Sequence, residues 1–481
     1  MSNVSKNYTV YHLHSDLSNG VTNIDSVTKY KEYVEYAKSL GMTALAFAEH
    51  GNIFEWVHKK ESIEAAGMKY IHAAEVYLTT DKDVENKHRD NYHCVLIAKN
   101  YDGVKELNKL ISTSFNRDSN DYHYYYAPRI GFDELYATSD NIIVTTACLG
   151  GVINKADNNL KTEFLKFLIK NKHRCYLEVQ HHNCIDQTAY NKILYAIHQK
   201  TRIPLIAGTD THCLNDTHIE GRSILQKAKN VFFSDEESWD LTFKTYDELI
   251  EAYRKQGALP EEVYLQVIEN TNVMANSIEE FKLDYSKKYP KLYNDSEKAL
   301  KEKIIQGIKN RGVDKYDNFN EYKKKIQYEL ETYKYNGAID FLLLEEDYKS
   351  ELKRQGVSYG YSRGSVSGSI IAYLLGITEV DSIKYNLNFE RFMNKERVSL
   401  ADVDTDWSKK DRYKVREYLF NKEGLYCCDI ITFNTIALKG AIKDVGRALG
   451  LSVDETQTIS DAVYQDEDKK DCIDDFYVKK Y

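Results

Sequence analysis

The feature that most constrains this chain is a pattern repeated through its first half: a short apolar run that ends on, or carries, a residue able to bind a metal. Met42–Ala48 runs into Glu49, His50 and Gly51, Ile142–Ala147 into Cys148, and Pro204–Gly208 through Thr209 to Asp210 and His212. Tyr70–Leu78 (YIHAAEVYL) carries Glu75, and YHCVLIAKN carries His93. Tyr8–Asn19 (YTVYHLHSDLSN) opens as a strand, whose period of two puts His12 and His14 on one face. Helical stretches such as Tyr30–Leu40 lie between these runs. Strands alternating with helices, and delivering polar groups at their C-terminal ends, describe a β/α barrel with a site at one rim. Histidine, cysteine, glutamate and aspartate are divalent-metal ligands, nitrogen and sulfur favouring zinc or similar ions. Each alone also reads as a satisfied core histidine, a buried inert cysteine or a helix-capping aspartate. Their recurrence at successive strands argues for a metal centre.

A second constraint sits in the other half. Leu400–Trp407 (LADVDTDW) alternates Asp402, Asp404 and Asp406 with Val403 and Thr405, so that on a strand three carboxylates share a face. Crowded carboxylates raise one another's pKa unless a cation compensates them. Hard Mg²⁺ takes such oxygen ligands, and paired ions clamp a phosphoryl displacement. A calcium loop fits poorly, because Trp407 and Tyr413 stand where its glycine and glutamate belong. The triplet alone also reads as an acidic turn in water. Ahead of it, Tyr359–Gly376 (YGYSRGSVSGSIIAYLLG) is a loop of small residues running into an apolar helix. Such a backbone wraps closely around a ligand, and N–H groups at a helix start beside Arg363 suit phosphate oxygens. Phe389–Asn394 (FERFMN) and Lys395–Ser399 (KERVS) add Arg391 and Arg397. A basic, glycine-lined loop close to a carboxylate cluster meets the needs of a nucleoside triphosphate with Mg²⁺. Further on, Ile430–Gly450 sets Lys439, Lys443 and Arg447 on one helical face, opposite Ala441, Ile442, Val445 and Leu449. The stripe suits a duplex backbone read without regard to sequence, or is simply a solvated face.

The segments H-L-H-S, A-E-H-G-N, A-E-V-Y, H-C-V-L-I-A-K-N, A-C-L-G-G and T-D-T-H resemble the PHP (polymerase and histidinol phosphatase) domain, in the form that opens bacterial DNA polymerase III alpha subunits. That resemblance implies a distorted β/α barrel holding up to three metal ions, here Zn²⁺ or Mn²⁺. The implied ligands are His12, His14, His50, Glu75, His93, Cys148, Asp210 and His212. Two positions depart from the pattern: Asn19 stands where an aspartate ligand is expected, and Glu49 replaces the aspartate before His50. A complete site implies metal-dependent phosphoester cleavage, including 3′–5′ exonuclease. The run Ser362–Trp407 resembles the palm of the same family, with Ser362 and Tyr361 replacing its usual glycine and proline. There Asp402 and Asp404 are the implied catalytic ligands of two Mg²⁺ ions, Asp406 being a weaker candidate. Arg363, Gly364, Ser365, Arg391 and Arg397 are the implied nucleotide contacts. Ile430–Gly450 resembles the start of the thumb, implying DNA contacts from Lys439, Lys443 and Arg447.

The expected fold is therefore α/β: residues 1–280 a PHP-type barrel with its following helices, 281–428 a partial nucleotidyltransferase-like α+β palm, and 429–481 the start of a helical thumb. The expected partners are primer-template DNA, deoxynucleoside triphosphates and a second polypeptide completing palm and fingers, since the family's alpha subunits are longer. Two other readings are a free-standing phosphoesterase or exonuclease, and a non-enzymatic DNA-holding module. With 481 residues, 42% hydrophobic and 29% charged, the composition is that of a soluble chain of about three domains. No apolar run is long enough for a bilayer and no signal peptide opens the chain, so a cytoplasmic location is expected. Eight cysteines without a C-x-x-C pair fit reduced thiols. A net charge of −9 leaves nucleic-acid binding to local basic patches.

Overall fold

The computed structural model describes residues 7–117, 122–233, 238–286, 288–396, 402–432, 436–466 and 470–473. The chain divides into two compact units, Met1–Lys282 with Phe433–Tyr481, and Leu283–Thr432.

The first unit is built on seven strands: β1 (Ala44–Phe47), β2 (Lys69–Thr79), β3 (Tyr92–Ala98), β4 (Ile130–Gly131), β5 (Ile142–Thr145), β6 (Cys175–Gln180) and β7 (Leu205–Gly208). They run in the order β1-β2-β3-β5-β6-β7, with β4 paired to β2. β3 is antiparallel to both neighbours, and the remaining pairs are parallel. The N-terminal segment closes the ring. Val10 bridges Leu45 beside β1, Leu13 bridges Thr211 just past β7, and the His14 amide donates to Thr211 O at 2.8 Å. The segment read as an opening strand is thus a pair of bridges joining the two ends of the sheet, and it carries His12 and His14 into the closure.

β1, β5 and β7 are buried on every residue, which explains why they read as continuous apolar runs rather than alternating ones. Their alternate residues feed two separate clusters. Ala44, Ala46, Ile71, Ala73, Val95 and Ile97 belong to one, joined by Met274 and Ile278. Leu45, Phe47, Cys94, Leu96, Val144 and Leu177 belong to the other, with the surrounding helices. Small alanines on one face leave room where strands converge in a closed sheet. The helices expected to follow the barrel are Tyr246–Gln256 and Glu261–Asn276, the first opened by a Thr245/Glu248 capping box. Helix Leu438–Ala448, which carries Lys439, Lys443 and Arg447 on its exposed side, packs in this unit against helix Asp216–Lys229. Lys229 Nζ reaches Asp444 Oδ2 at 2.6 Å across that pair.

The second unit gathers helices Ser296–Arg311, Phe319–Tyr335 and Ile339–Arg354 around Leu300, Tyr322, Tyr333, Leu342, Ile370 and Phe389. Its extended part is a ribbon in which Tyr359 bridges Trp407 antiparallel and the Gly360 amide donates to Asp406 O at 2.9 Å. Among the described residues, no helix is long and apolar enough to cross a membrane.

Candidate metal centre and nucleotide loop

The barrel's rim collects the predicted ligands into one buried cluster. Three groups have their donor atoms within 4.8 Å of one another: His12, His14, Glu75 and Asp210; His14, Asp25, His50 and His212; His50, Glu75 and His93. Glu75 joins two of them, with Oε2 at 2.8 Å from His50 Nδ1 and Oε1 at 2.9 Å from His93 Nδ1. Cys148 Sγ lies 3.4 Å from His93 Nδ1 and 3.9 Å from Glu75 Oε1. All eight residues singled out in the sequence therefore meet here. Backbone geometry at the strand ends helps to deliver them. Asp210 itself, Ile24 before Asp25 and Ala147 before Cys148 adopt left-handed conformations rare for such residues.

Asp25 is the ninth member, and sequence reasoning missed it. The aspartate expected at position 19 is supplied six residues later. Asn19 shapes the loop instead, its Oδ1 accepting from the Asp25 amide at 2.6 Å and the Ser26 amide at 3.1 Å. Asp25 Oδ1 then lies 3.4 Å from both His50 Nε2 and His212 Nε2. No local signal in the sequence marked Asp25 as a candidate ligand.

The outer partners fix the rings. His12 Nδ1 lies 2.6 Å from Glu178 Oε1, His14 Nδ1 3.1 Å from Ser18 Oγ, and His212 Nδ1 2.8 Å from Asp210 O. Nδ1–H donation to these oxygens leaves Nε2 as the lone-pair atom facing the cluster. Glu49, the other departure from the family pattern, lies behind His14: it accepts from Ser18 Oγ at 2.6 Å and from the Ser15 amide at 3.0 Å, and pairs with buried Lys59. Glu178 also escaped the sequence reading, although one charged residue inside the apolar strand CYLEVQ is the kind of signal that could have found it. Gly208 makes room for it, since a Cβ there would lie 2.1 Å from Glu178 Oε1.

The donor set fits metal ions on the structure's own terms. His12 Nε2, His14 Nε2, His50 Nδ1, Glu75 Oε2, Asp25 Oδ2 and Asp210 Oδ1 are all buried without an aligned hydrogen bond, although several crowd one another, as His50 Nδ1 and Glu75 Oε2 do at 2.8 Å. Buried polar atoms left unpaired are costly, and converging ones of this chemistry are satisfied by cations. The electrostatics are those of a crowded cluster of opposing charges, in which neighbouring carboxylates hold His12, His50 and His212 above the usual imidazole range against the effect of burial. Burial alone would raise Glu75, but His93, His50 and His12 hold its carboxyl well below the usual range. Burial, reinforced by His50 and His212, pushes His14 down to about 4, so it offers a neutral nitrogen. Burial and then Asp210 and Glu75 push the Cys148 thiol well up, so that its thiolate form requires a neighbouring cation. Above the cluster opens a cavity of about 1000 Å³, walled by Tyr77, Tyr126, Phe233 and Trp239, with Lys155 on its lining.

The second unit places the other predicted residues. Asp402, Asp404 and Asp406 are exposed while Val403 and Thr405 between them are half-buried, and Val403 packs on the unit's core. The expected strand is not formed at 402–406, which is extended chain leading to the Trp407 bridge, but the alternating exposure leaves all three carboxylates on the solvent side. The small-residue loop lies against them. Arg363 pairs with Asp406 at 2.5 Å, and a Cβ on Gly364, whose φ is +71°, would approach Asp404 Oδ2 to 2.9 Å. Ser365, itself exposed, opens a 3₁₀ turn, Ser365–Gly368, whose Val366 and Gly368 are buried, and Arg391 is exposed at the end of another, Phe389–Arg391. Arg397 lies outside the described residues. One expectation changes in detail: the Ile370 and Ile371 amides at the start of the next helix already donate to Glu329, so a phosphate would meet the preceding turn instead.

A buried His/Asp/Glu/Cys cluster at the rim of a distorted β/α barrel defines a barrel domain with a candidate metal centre. Comparison with known families agrees: residues 11–182 match the PHP domain, and residues 297–479 match the bacterial DNA polymerase III alpha NTPase domain. The chain is DNA polymerase III alpha-like, with an N-terminal PHP domain. DNA polymerase III subunit alpha of Aquifex aeolicus is 31% identical over 93% of this chain and 40% of its own length. That of Borreliella burgdorferi is 31% identical over 93% and 39%, and that of Helicobacter pylori 28% over 94% and 39%. The chain thus spans about two fifths of the length of these curated relatives.

Proposed function

We propose that the barrel is a metal-dependent phosphoesterase that trims DNA 3′ ends, and that the second unit serves template-directed DNA synthesis by two-metal nucleotidyl transfer, both acting in the cytoplasm. The observation that carries the barrel half is the convergence of six buried donor atoms, none in an aligned hydrogen bond, beneath an open cavity. Zn²⁺ or Mn²⁺ suits its mixed nitrogen, oxygen and sulfur donors. Such ions supply Lewis acidity and neutralise charge developing on a phosphate. The protein's own part is positional: Glu178 and Ser18 hold His12 and His14 in one tautomer, and Lys155 offers a cation on the cavity lining.

In the second unit, Asp402 and Asp404 would hold two Mg²⁺ ions, with Arg363, Gly364, Ser365, Arg391 and Arg397 around the triphosphate of an incoming deoxynucleotide. Lys439, Lys443 and Arg447 would meet the primer-template backbone. The alternating exposure of the aspartates and the approach of Gly364 to Asp404 support this reading.

The test separates the halves. With Mn²⁺ and a 5′-labelled single strand, His14→Ala should abolish shortening while Asp404→Asn leaves it intact. With Mg²⁺ and dATP, Asp404→Asn should lose nucleotide binding while His14→Ala keeps it. Shortening that survives His14→Ala would sink the barrel assignment. Absence of dATP binding by the unaltered chain would leave barrel chemistry as the only activity.

A further inference from the structure

We propose that Glu329 is the positioning residue that sets the place of the small-residue loop Ser362–Ser369 against the acidic stretch. Glu329 lies within helix Phe319–Tyr335 with 1% of its surface exposed. Its Oε1 accepts the Ile370 amide at 2.9 Å, while Oε2 accepts the Ile371 amide at 3.0 Å and the Ser369 hydroxyl at 2.8 Å. Ser369 is in turn fully used: its oxygen accepts the Ala372 amide at 3.0 Å and lies 2.7 Å from the hydroxyl of buried Tyr333. The Ile370 and Ile371 amides and the Ser369 hydroxyl at the loop's exit are thereby all committed to one buried carboxylate.

Two further close approaches turn this anchor into a position. A Cβ on Gly368 would lie 2.4 Å from Asn388 O, so the loop's far flank rests directly on that backbone. At its near flank, Gly364, whose φ is +71°, lies beside the Asp404 carboxylate, to whose Oδ2 an added Cβ would come within 2.9 Å. The loop is thus bounded by Asp404 at one end, by Asn388 in the middle and by Glu329 at its exit. Among the described residues Glu329 has no ion-pair partner; burial pushes its carboxyl up to about 7, and the two backbone N–H groups and the Ser369 hydroxyl are what favour its charged form. A buried carboxylate without a counter-charge is expensive. What it provides that an amide does not is two acceptor oxygens, which take both leading amides at once. With those amides occupied, and the Ser367 and Gly368 amides used inside the 3₁₀ turn, the N–H groups left for a ligand are those at the start of the turn, at Ser365 and Val366, nearer Asp404. That last consequence rests on reading the loop as a triphosphate cradle, whereas the anchoring itself does not.

Glu329→Gln tests it, because the Gln side chain keeps the shape yet turns an N–H toward one of the two amides. Hydrogen exchange of peptides spanning 362–375 is compared in the unaltered chain, Glu329→Gln and Tyr322→Phe. The last removes a different buried hydrogen bond of the same helix, from Tyr322 to Asp381 Oδ2 at 2.8 Å, and reports general destabilisation. We expect Glu329→Gln to speed exchange over 362–375 by about tenfold or more while Ser296–Arg311 and Ile339–Arg354 stay unchanged. Binding of Mg²⁺-dATP, measured by calorimetry well below the melting temperature, should weaken about tenfold in Glu329→Gln and not in Tyr322→Phe. Exchange unchanged over 362–375, or raised across the whole unit as in Tyr322→Phe, would overturn the proposal. If the unaltered chain binds no Mg²⁺-dATP, the triphosphate reading fails while the exchange result still decides the anchor.

Discussion

His12 Nδ1 lies 2.6 Å from Glu178 Oε1, with both side chains fully buried, and Tyr11, Thr145 and Gln180 all donate to the same carboxylate. The contact fixes the imidazole tautomer and makes its Nε2 a stronger donor. Glu178→Gln preserves volume but removes the acceptor charge. We expect metal affinity, followed by calorimetry, to fall about 10–100-fold with the fold intact.

Asp25 and Asn19 have separable roles. Asp25→Ala removes an oxygen from the group shared with His14, His50 and His212, so metal content by elemental analysis should fall by about one ion per chain. Asn19→Ala deletes only the loop's hydrogen bonds, and its effect should be milder and rescued by excess metal. Equal losses in the two variants would show that loop shape, not ligation, is what Asp25 contributes.

Beneath His14, Lys59 and Glu49 form an ion pair in which both side chains are at most 3% exposed. Removing one partner strands a charge in the interior. Lys59→Met should therefore destabilise the first unit by about 3–5 kcal/mol in urea unfolding, and adding Glu49→Gln should recover part of that loss.

His72, away from the cluster, reports on acid stability. It sits between Tyr70 OH at 2.7 Å and Asn108 Oδ1 at 2.8 Å, and burial pushes it down to about 4. The unfolded imidazole takes up a proton near pH 6.5 while the folded one resists. Stability contributed by the neutral ring is thus full above about pH 6.5 and declines as pH falls toward about 4, by up to about 3 kcal/mol. His72→Gln keeps hydrogen-bonding capacity without titrating, so its urea midpoint should fall less between pH 7 and 4.5 than that of the unaltered chain.

Much of this molecule was legible in order of residues. The apolar runs around Leu45, Ile143 and Ile206 mark strands, because chain buried on both faces must be apolar throughout. The ligand types attached to them mark a metal centre, because few other arrangements need histidine, carboxylate and thiol together. Alternation through Asp402–Asp406 was enough to put three carboxylates on one exposed face, since the strand period is a local property.

What only the tertiary structure decided is which distant groups complete those local patterns. Asp25 enters the cluster through a loop whose path is set by Asn19, and Glu178 reaches His12 because β6 lies beside β7 where Gly208 leaves space. Glu329 takes the amides of Ile370 and Ile371 from 41 and 42 residues away. Periodicity and motif act over a few residues and so are written in the chain. The pairing of a buried charge with its partner is settled by packing, which brings together residues that no local pattern connects.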